Sequence, residues 1–542
     1  MANQKKANGN QSNGRGGFAE LMKELWEAAV ALRGTIEPAD YKRYVLPIIF
    51  LRFLSLRYEK RRAELTAYVR EGRAGYDIGI ENLETILSDP DEFRSGGAFI
   101  VPENARWDTI IANAQRDDIK SYFDDVLQLL EDTYPDKLRG LLPRIYAGSN
   151  LTPEHLRGLI NIFSRDVFRQ DHGGDDLIGR VYEYFIGEFA NSEGKRGGEY
   201  FTPISIVKTL VAMLEPNEGI VFDPCCGSGG MFVQSDSFTK HSHRLSFFGQ
   251  ESKDFTYRLC RMNLFIHGID GDIRLGNSYS DDQQAGLKAD YILANPPFND
   301  GAKSREGWGA ESIPDKDPRL TLGDRKLPLS PRNANTMWML HFLYHLKDSG
   351  TCGFVMATGE LSNSEIARLE VRKALIEAGV VDCIVQLPGQ LFANTGIPCS
   401  LWFLSKNREG SGGYRKRASE VLFIDARKMG TLIPGSRKQK QLSDEEIERI
   451  TSTYRLFKRQ ADLEEIPGLC RAASLRDIAE YHFSLVPGRY VGNEKIEDEE
   501  EPLEERLPRL LQEIRSVLKD SAQSDEQIRR ALLELGDVKR LV

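Results

Sequence analysis

The sequence predicts an α/β protein, with a largely parallel sheet preceded by an all-helical domain and followed by a helical C-terminal region. Three observations lead to this class. From residue 219 onward, short apolar runs alternate with helical patterns, which is the order of successive βα units. Residues 18–170 instead carry apolar side chains at helical spacing, without the alternation typical of strands. A chain of 542 residues is also too long for one hydrophobic core, so we expect about three domains.

The composition narrows the class of protein. Hydrophobic residues make up 40% and charged residues 28% of the chain, as in soluble globular proteins. No apolar run approaches the roughly 20 residues that span a bilayer, and the N-terminal segment lacks the apolar core of a signal peptide. The seven cysteines are scattered without metal-type spacing, which indicates a reducing compartment rather than a disulfide framework. We therefore expect a cytoplasmic protein with no membrane partner.

The net charge of −9 constrains any nucleic-acid partner. A protein that grips DNA unaided usually carries a surplus of basic residues. We therefore expect that another component largely holds any nucleic-acid substrate, although a local basic face is compatible with an acidic total.

The pattern divides the chain into four segments. Residues 1–17 are polar and predict a disordered tail. Residues 18–170 predict a helical domain, whose simplest role is packing support and whose alternative role is to clamp a partner or DNA. Residues 171–430 contain the strand–helix alternation. Residues 431–542 predict a helical C-terminal region, whose tail is either a partner-binding seam or a strap across the chain's own core.

The alternating segment gives the order of strands and helices. Strands are predicted at residues 219–222, 245–249, 273–276, 291–294, 353–356, 380–387, 401–404 and 421–424. Helices are predicted at residues 176–189, 204–214, 336–346 and 365–377. The sheet is expected to end near residue 425. Because open α/β sheets bind ligands beyond the carboxyl ends of their strands, residues just after the first four strands are the candidates for chemistry.

A glycine-rich turn follows the first strand. It reads Asp223-Pro224-Cys225-Cys226-Gly227-Ser228-Gly229-Gly230. It is not a dinucleotide fingerprint, because Phe232 stands where the third glycine would be, and residues 271–278 are not a phosphate loop, because Asn277 replaces the lysine. What remains is a turn that lets a ligand approach the backbone, with Glu251 placed after the second strand to accept from ribose hydroxyls. These features fit a nucleoside cofactor without a pyrophosphate, such as S-adenosylmethionine.

The fourth strand ends in the corner Asn295-Pro296-Pro297-Phe298. Two prolines remove two backbone donors and fix φ, so the chain must leave the sheet there as a stiff corner. The Asn295 amide oxygen and a neighbouring main-chain carbonyl can each accept one N–H of an exocyclic amine, and Phe298 can stack on the base. Holding both hydrogens draws the nitrogen lone pair out of conjugation and directs it at an electrophile.

Other residue pairs suggest different chemistry, but their context disfavours it. His341 and His345 have the spacing of a zinc site, yet no glutamate stands between them, so a packed helix and no metal are expected. Cys225 and Cys226 could suggest methylation of cytosine C5, but they sit in the cofactor turn, and we interpret them as packing residues. The loop before Glu199 is either an ordinary connection or a wall of the cofactor site. For the loop at residues 299–334, contact with DNA is a weak hypothesis.

With these motifs in place, the chain resembles an amino-methyltransferase of the adenine-N6 type, specifically the modification subunit of a type I restriction-modification enzyme. The resemblance covers nearly the whole chain, including the N-terminal helices. The stretches that carry it are residues 198–203, 223–230, 295–298, 394–398 and 487–491. It implies a Rossmann-like, S-adenosylmethionine-dependent methyltransferase sheet with an N-terminal all-helical domain and a helical C-terminal tail.

The resemblance also implies the residues of the site. The corner Asn295, Pro296, Pro297 and Phe298 would hold a flipped adenine for direct methyl transfer to its N6 amine. The residues expected to bind the cofactor are Glu199, Tyr200, Phe201, Thr202, Pro203, Ile204, Asp223, Ser228, Gly229, Gly230, Glu251 and Asn277. Asn277 departs from the family, because many relatives have an acid there.

The resemblance implies three partners. They are double-stranded DNA as substrate, a specificity (S) subunit that reads the target sequence, and a restriction (R) nuclease-translocase subunit. The acidic charge and the small helical remainder after residue 425 agree with recognition by a separate subunit. Two alternatives to this function stay open at this stage: methylation of a protein glutamine amide, and a non-catalytic scaffold of a restriction complex.

Overall fold

The computed structural model describes residues 20–492, apart from 35, 78, 170–176, 193–201, 302–307, 394, 434–435, 437 and 460–462, and isolated positions between 511 and 524. Several predictions lie outside the described residues. They concern the disordered tail, the glycine-rich loop before Glu199, the residues Glu199, Tyr200, Phe201 and Asn394, and most of the acidic and apolar positions after residue 493.

The described chain begins with helices and then alternates strands and helices from β1 onward, and it contains strands that the sequence does not predict, namely β5, β6, β11, β12 and β13. Its helices are α1 (residues 20–31), α2 (Pro38–Glu71), α3 (Leu83–Leu87), α4 (Pro90–Ser95), α5 (Trp107–Ala112), α6 (Ile119–Thr133), α7 (Pro135–Leu138), α8 (Pro153–Phe163), α9 (Leu177–Ser192), α10 (Ile204–Leu214), α11 (Gly230–Phe238), α12 (Asp254–Ile266), α13 (Asn335–His345), α14 (Ile366–Glu377), α15 (Asp444–Arg459) and α16 (Leu475–Glu480). Its strands are β1 (Gly219–Asp223), β2 (Leu245–Glu251), β3 (Gly271–Leu275), β4 (Ala289–Ala294), β5 (Thr321–Leu322), β6 (Arg325–Lys326), β7 (Leu346–Ala357), β8 (Val381–Gln386), β9 (Cys399–Ser405), β10 (Glu420–Asp425), β11 (Thr431–Leu432), β12 (Lys440–Gln441) and β13 (Cys470–Ser474).

The N-terminal helices share one apolar core around α2. Helix α9 belongs to this core, because Trp26 of α1 contacts Phe185 and Phe189 with ring centroids 5.3 and 4.7 Å apart. Leu259 and Met262 of α12 are buried in the same core, so the helical region packs directly on the helix that follows β2. The boundary that the sequence predicts near residue 170 would assign α9 to the following domain, whereas α9 packs in the core of the N-terminal helices. The division of the chain into four segments stays a prediction.

A nine-stranded sheet forms the second part, in the order β13-β10-β8-β9-β7-β4-β1-β2-β3. Strands β1, β2 and β3 run parallel toward one side, and β4 pairs in parallel with the other side of β1. The chain order therefore reverses between β1 and β4, which makes their carboxyl ends a topological switch point where open sheets bind ligands. Alternate side chains enter two cores on opposite faces, with Val221 and Leu293 in one and Phe222 and Ile292 in the other.

The prediction that the sheet ends near residue 425 is wrong. Strand β13 pairs antiparallel with β10, from Glu420 opposite Ser474 to Ile424 opposite Cys470. The segment has no β-branched residue, so its own sequence does not favour a strand. It becomes one because β10 would otherwise present unpaired backbone groups at the edge of the sheet.

The chain separates into two compact units, residues 1–492 and residues 493–542. In the second unit, the described positions between 511 and 524 are helical, and Leu511, Ile514 and Leu518 are exposed by 47%, 54% and 64%. Among the described helices, none has the length and hydropathy needed to cross a bilayer.

Candidate active site

A cleft of about 460 Å³ opens at the switch point between β1 and β4. Its walls come from the segments that follow β1, β2, β3 and β4, from the start of α10, and from the helical core. The residues that line it from the N-terminal helices α2 and α9 are Lys42, Leu46, Ile186 and Phe189. The volume lies within the range of about 300–1,000 Å³ that is usual for small-molecule sites.

Backbone contacts shape the turn after β1. The Cys226 N–H donates to the Gln250 carbonyl at the end of β2, over 3.1 Å, so the turn is tied to the neighbouring strand. Gly229 is the residue before α11 and has φ of 82°, and a Cβ there would lie 3.0 Å from the Cys260 sulfur. Only glycine combines that φ with that close packing. Asn263 of α12 donates to the Ser228 carbonyl over 2.9 Å and supports the turn from behind.

Glu251 connects the turn to the end of β2. One carboxylate oxygen accepts from the Gly227 N–H over 3.1 Å, and the other accepts from the Lys253 N–H over 2.9 Å. The residue is 9% exposed and lines the cleft. These bonds fix a charged acceptor at the rim, where it can receive hydroxyl donors from a ligand.

Asp223 is the last residue of β1 and is 2% exposed. Burial raises the pKa of its carboxyl group to about 7, and the nearby negative charge of Glu251 acts in the same direction. The Cys225 N–H donates to it over 3.0 Å, which favours the charged form. The cleft therefore contains a carboxyl group whose charge changes near neutral pH.

The segment after β3 forms the next wall. Ser278 donates to the Pro224 carbonyl over 2.6 Å, which joins this segment to the turn after β1. Arg319, from the loop before α13, donates to the carbonyls of Ser278 and Tyr279 over 2.8 and 2.7 Å. Asn277 uses its side-chain oxygen locally, to accept from the Tyr279 N–H over 2.9 Å. Part of the loop at residues 299–334 thus supports the cleft wall.

The corner after β4 lies in the same cleft as the turn after β1, because β4 pairs directly with β1. Asn295, Pro296 and Pro297 line the cleft, and the Asn295 side-chain N–H donates to the Thr202 hydroxyl over 2.9 Å. Thr202 precedes α10 and lies far from Asn295 in sequence. The Thr202 contact engages the amide nitrogen, and the other end of the same amide carries the side-chain oxygen, which is an acceptor.

Phe298 takes a different position from the one expected. Among the described residues, it is not part of the cleft lining, and its half-buried ring packs edge-on against Phe392, with centroids 6.2 Å apart. Phe392 belongs to the loop between β8 and β9, which also contains the segment at residues 394–398. The corner is therefore flanked by an aromatic pair rather than by one aromatic ring.

The structure gathers most of the described site residues that the sequence predicts. Those in the cleft lining are Thr202, Ile204, Asp223, Ser228, Gly230, Glu251, Asn277, Asn295, Pro296 and Pro297. Two further predicted residues lie beside the cleft lining. Gly229 shapes the turn after β1, and Pro203 is the residue directly before helix α10. The residues that sequence reasoning missed include Tyr279, Trp338 and Lys42, because nothing in their local sequence marks them.

The two cysteines of the turn are poor nucleophiles. Burial raises the pKa of the Cys225 thiol well above its ordinary value. The pKa of the Cys226 thiol is also raised well above its ordinary value, mainly by a hydrogen bond with Cys260 and secondly by burial. Both thiols are therefore protonated at neutral pH, which supports their interpretation as packing residues.

The two histidines of α13 form a buried polar cluster with Asp282, and the possible ligand atoms of the three residues lie within 4.8 Å of one another. His345 contacts the Asp282 carboxylate at 2.9 Å. The Arg319 guanidinium lies 3.2 Å from Nδ1 of His341, so that nitrogen must accept, and burial lowers the pKa of His341 well below its ordinary value. A fixed guanidinium beside the cluster opposes a further cation, which favours a structural network.

Two families match the chain. The N-6 DNA Methylase family matches residues 173–499, and the HsdM N-terminal domain matches residues 21–163. These matches coincide with the sheet that carries the cleft and with the helical region before it.

Similar proteins are known in other organisms. The type I restriction enzyme MjaIX methylase subunit of Methanocaldococcus jannaschii is 39% identical over 525 residues, which cover 95% of this chain and 92% of that protein. The type I restriction enzyme HindI methylase subunit of Haemophilus influenzae is 38% identical, and the match covers 80% of this chain and all (100%) of that protein.

Solved structures have the same fold. The methyltransferase subunit of a type I restriction-modification system from Streptococcus thermophilus superposes with a TM-score of 0.67 at 24% identity, over 88% of this chain and 99% of that chain. A chain from a study of complex assembly and conformational transition in the type I system gives a TM-score of 0.58 at 20% identity, over 94% of this chain and 98% of that chain.

Proposed function

This chain belongs to the N-6 DNA methylase family and is a DNA N6-adenine methyltransferase subunit of the type I restriction-modification class, and we propose that S-adenosylmethionine and a flipped adenine meet in the cleft between β1 and β4. The family assignment favours DNA methylation over the two sequence-based alternatives, a protein glutamine methyltransferase and a non-catalytic scaffold. The observation that supports the proposed site is the position of the glycine turn and the Asn295 corner in one cleft at the switch point.

The turn side of the cleft suits S-adenosylmethionine. Glu251 presents a fixed carboxylate for ribose hydroxyls. Ser228 and Gly230 line the cleft, and a Cβ at Gly230 would meet nothing within 4 Å, so a ligand can lie beside the backbone there. Asp223 adds a buried carboxyl group that in its ionised form favours a cationic ligand. When bound, S-adenosylmethionine would supply an electrophilic methyl group. Thr202, Pro203, Ile204 and Asn277 complete the proposed cofactor site, with Glu199, Tyr200 and Phe201 assigned from the family resemblance alone.

The corner side of the cleft suits the adenine. The Asn295 amide oxygen and the Pro296 carbonyl accept the two N–H groups of the exocyclic amine, which leaves the nitrogen lone pair free to attack. The Thr202 hydroxyl holds the Asn295 amide in the orientation that this role requires. Because Phe298 packs on Phe392 outside the cleft lining, its stacking on the base after the base has left the duplex stays a prediction. Catalysis then depends mainly on positioning.

The assembly partners follow from the same assignment. We infer that a specificity subunit supplies target recognition for double-stranded DNA, because the chain has a net charge of −9. We propose a restriction subunit as a further partner, because the similar proteins are methylase subunits of type I restriction enzymes. The exposed stripe Leu511, Ile514 and Leu518 has the spacing of a helix-binding seam.

A labelled-methyl assay tests this function. The chain is purified with its specificity subunit and incubated with labelled S-adenosylmethionine and DNA from a host that lacks the system. We expect label in N6-methyladenine and none in protein. Label in protein glutamine alone, or cofactor binding without any methylated DNA, would contradict the proposal.

Removal of residues from 495 onward tests the partner assignment. The shortened chain is expected to lose affinity for the specificity subunit, because its exposed apolar stripe is gone, while S-adenosylmethionine binding is retained. Co-purification and cofactor titration measure the two effects. Assembly at full strength after the truncation would contradict a partner role for the tail.

A further inference from the structure

The residue that follows the Asn-Pro-Pro-Phe corner has an unusual backbone conformation. Asn299 has φ of 55°, in the left-handed region that asparagine tolerates better than most residues. Its backbone N–H donates to the side-chain oxygen of Asn335 over 2.8 Å, and its own side-chain oxygen accepts from Asn335 over 3.1 Å. Asn333 donates to the same Asn299 oxygen over 2.9 Å. The exit of the corner is therefore held by side chains from a later part of the chain.

Asn335 is itself fixed from behind. It is the first residue of α13, is 0% exposed, and donates its second side-chain N–H to the Glu360 carboxylate over 2.7 Å. An ionised carboxylate can only accept hydrogen bonds, so the amide must turn its nitrogen toward Glu360 and its oxygen toward the Asn299 N–H. All the donors of the Asn335 amide are then used.

Glu360 is held in turn by two arginines of α14. It is 2% exposed and forms an ion pair with Arg368. Arg372 donates to the Glu360 main-chain carbonyl over 3.1 Å. The chain of contacts thus runs from α14 through Glu360 and Asn335 to Asn299, and it contains no residue of the cleft lining.

We propose that Asn335 is a positioning residue for methyl transfer, because it fixes Asn299 and thereby the direction of the Asn295–Phe298 corner. The two prolines make the corner stiff, so a constraint at its exit is transmitted to Asn295 rather than absorbed by the backbone. The role of Asn335 rests on the function proposed above for Asn295. It extends the set of residues that control the reaction to the start of α13 and the turn after β7.

The test compares Asn335→Ala with Asn161→Ala, an exposed asparagine of α8, in the complex with the specificity subunit and DNA. For Asn335→Ala, kcat is expected to fall about 100-fold, the loss typical of a displacement of about 1 Å at a reacting group. The Kd for S-adenosylmethionine should stay at the control value, whereas the Tm of the complex should fall, because the buried Glu360 carboxylate loses a hydrogen-bond donor. An unchanged kcat, or a parallel loss of cofactor binding, would overturn the proposal.

A reversed pair of substitutions separates positioning from simple packing. Asn335→Asp places two carboxylates next to each other and should lower kcat. When Glu360→Gln is added, the new glutamine amide can donate to the new aspartate carboxylate, so the hydrogen bond is restored with donor and acceptor exchanged. The double variant should therefore recover most of kcat. Failure of the double variant to recover, although it folds, would overturn the proposal. If Asn335→Ala does not fold, Asn299→Gly tests the proposal instead, because glycine accepts the positive φ while the side-chain contacts with Asn335 are lost. A lowered kcat at an unchanged Tm would support the role of Asn335. An unchanged kcat would overturn it.

The activities of two variants distinguish an error in the proposed function from an error in the role of Asn335. If Asn295→Ala retains full activity, the corner is not the acceptor site, and both are wrong. If Asn295→Ala is inactive while Asn335→Ala is fully active, only the role of Asn335 is wrong.

Discussion

The turn after β1 and the corner after β4 lie at the same edge of the sheet, but different parts of the chain hold them. The turn is fixed by backbone contacts with Gln250 and by Glu251, both at the end of the adjacent strand β2. The corner is fixed by side chains that are distant in sequence, from Thr202 before α10 and from Asn335 at the start of α13. Cofactor binding should therefore depend on local structure, whereas methyl transfer should depend on several remote residues.

The largest effect is expected at the corner itself. Asn295→Ala removes the amide oxygen that accepts from the adenine amine, so methylation should fall by about 10²- to 10³-fold, comparable to the loss of one oxyanion-hole donor in other enzymes. Cofactor affinity should remain, because the turn does not depend on Asn295. Labelled-methyl transfer and equilibrium binding measure the two quantities, with the exposed Asn217→Ala as control. Unchanged methylation would refute the role given to Asn295.

Glu251→Ala should have the opposite profile. Loss of hydrogen bonds to a charged group costs about 1.5–3 kcal/mol, so the Kd for S-adenosylmethionine should rise about 10- to 100-fold. At saturating cofactor, kcat should recover a large part of its original value. Asp254→Ala is the matched control, since that carboxylate is 59% exposed and lies at the start of the next helix. If cofactor affinity and kcat at saturating cofactor fell by equal factors, the proposed division would be wrong, since it assigns cofactor binding to the turn and methyl transfer to the corner.

The pH dependence of cofactor binding should be carried by Asp223. Its pKa is raised to about 7, so the carboxyl group is protonated below that pH and ionised above it. An ionised carboxylate favours a cationic ligand, so affinity should increase by up to about tenfold in total as pH rises from 6 to 8, most steeply below pH 7. Titration calorimetry at several pH values measures this slope. The slope should disappear in Asp223→Asn, and its persistence would assign it to another group.

The smallest effect is expected at Thr202. Thr202→Val keeps the shape of the side chain but removes the hydrogen-bond acceptor for Asn295, so kcat should fall about 5- to 10-fold, as for the loss of one ordinary hydrogen bond. Since Thr202 also lines the cofactor side, the Kd must be measured together with kcat. If only the Kd changed, Thr202 would act in cofactor binding and not in holding the Asn295 corner.

The sequence predicts the local side of the cleft better than the remote side. The order of β1 to β4 follows from apolar runs that end in glycine or polar residues, and the structure confirms it. The turn after β1 and Glu251 lie at the ends of these strands, so their place in the cleft could be predicted, while their role in cofactor binding stays a prediction. The contact between Asn299 and Asn335 has no such signal, because an asparagine at the start of a helix is a common cap. Strand β13 and the packing of Phe298 on Phe392 also depend on tertiary partners that local patterns do not contain.

The most direct test of the account is a structure of the complex with a non-reactive analogue of S-adenosylmethionine and target DNA. We predict ribose hydroxyls within about 3.2 Å of the Glu251 carboxylate and a flipped adenine amine on the Asn295 oxygen. An analogue bound away from Glu251, or a target base held by residues other than the Asn295 corner, would contradict it.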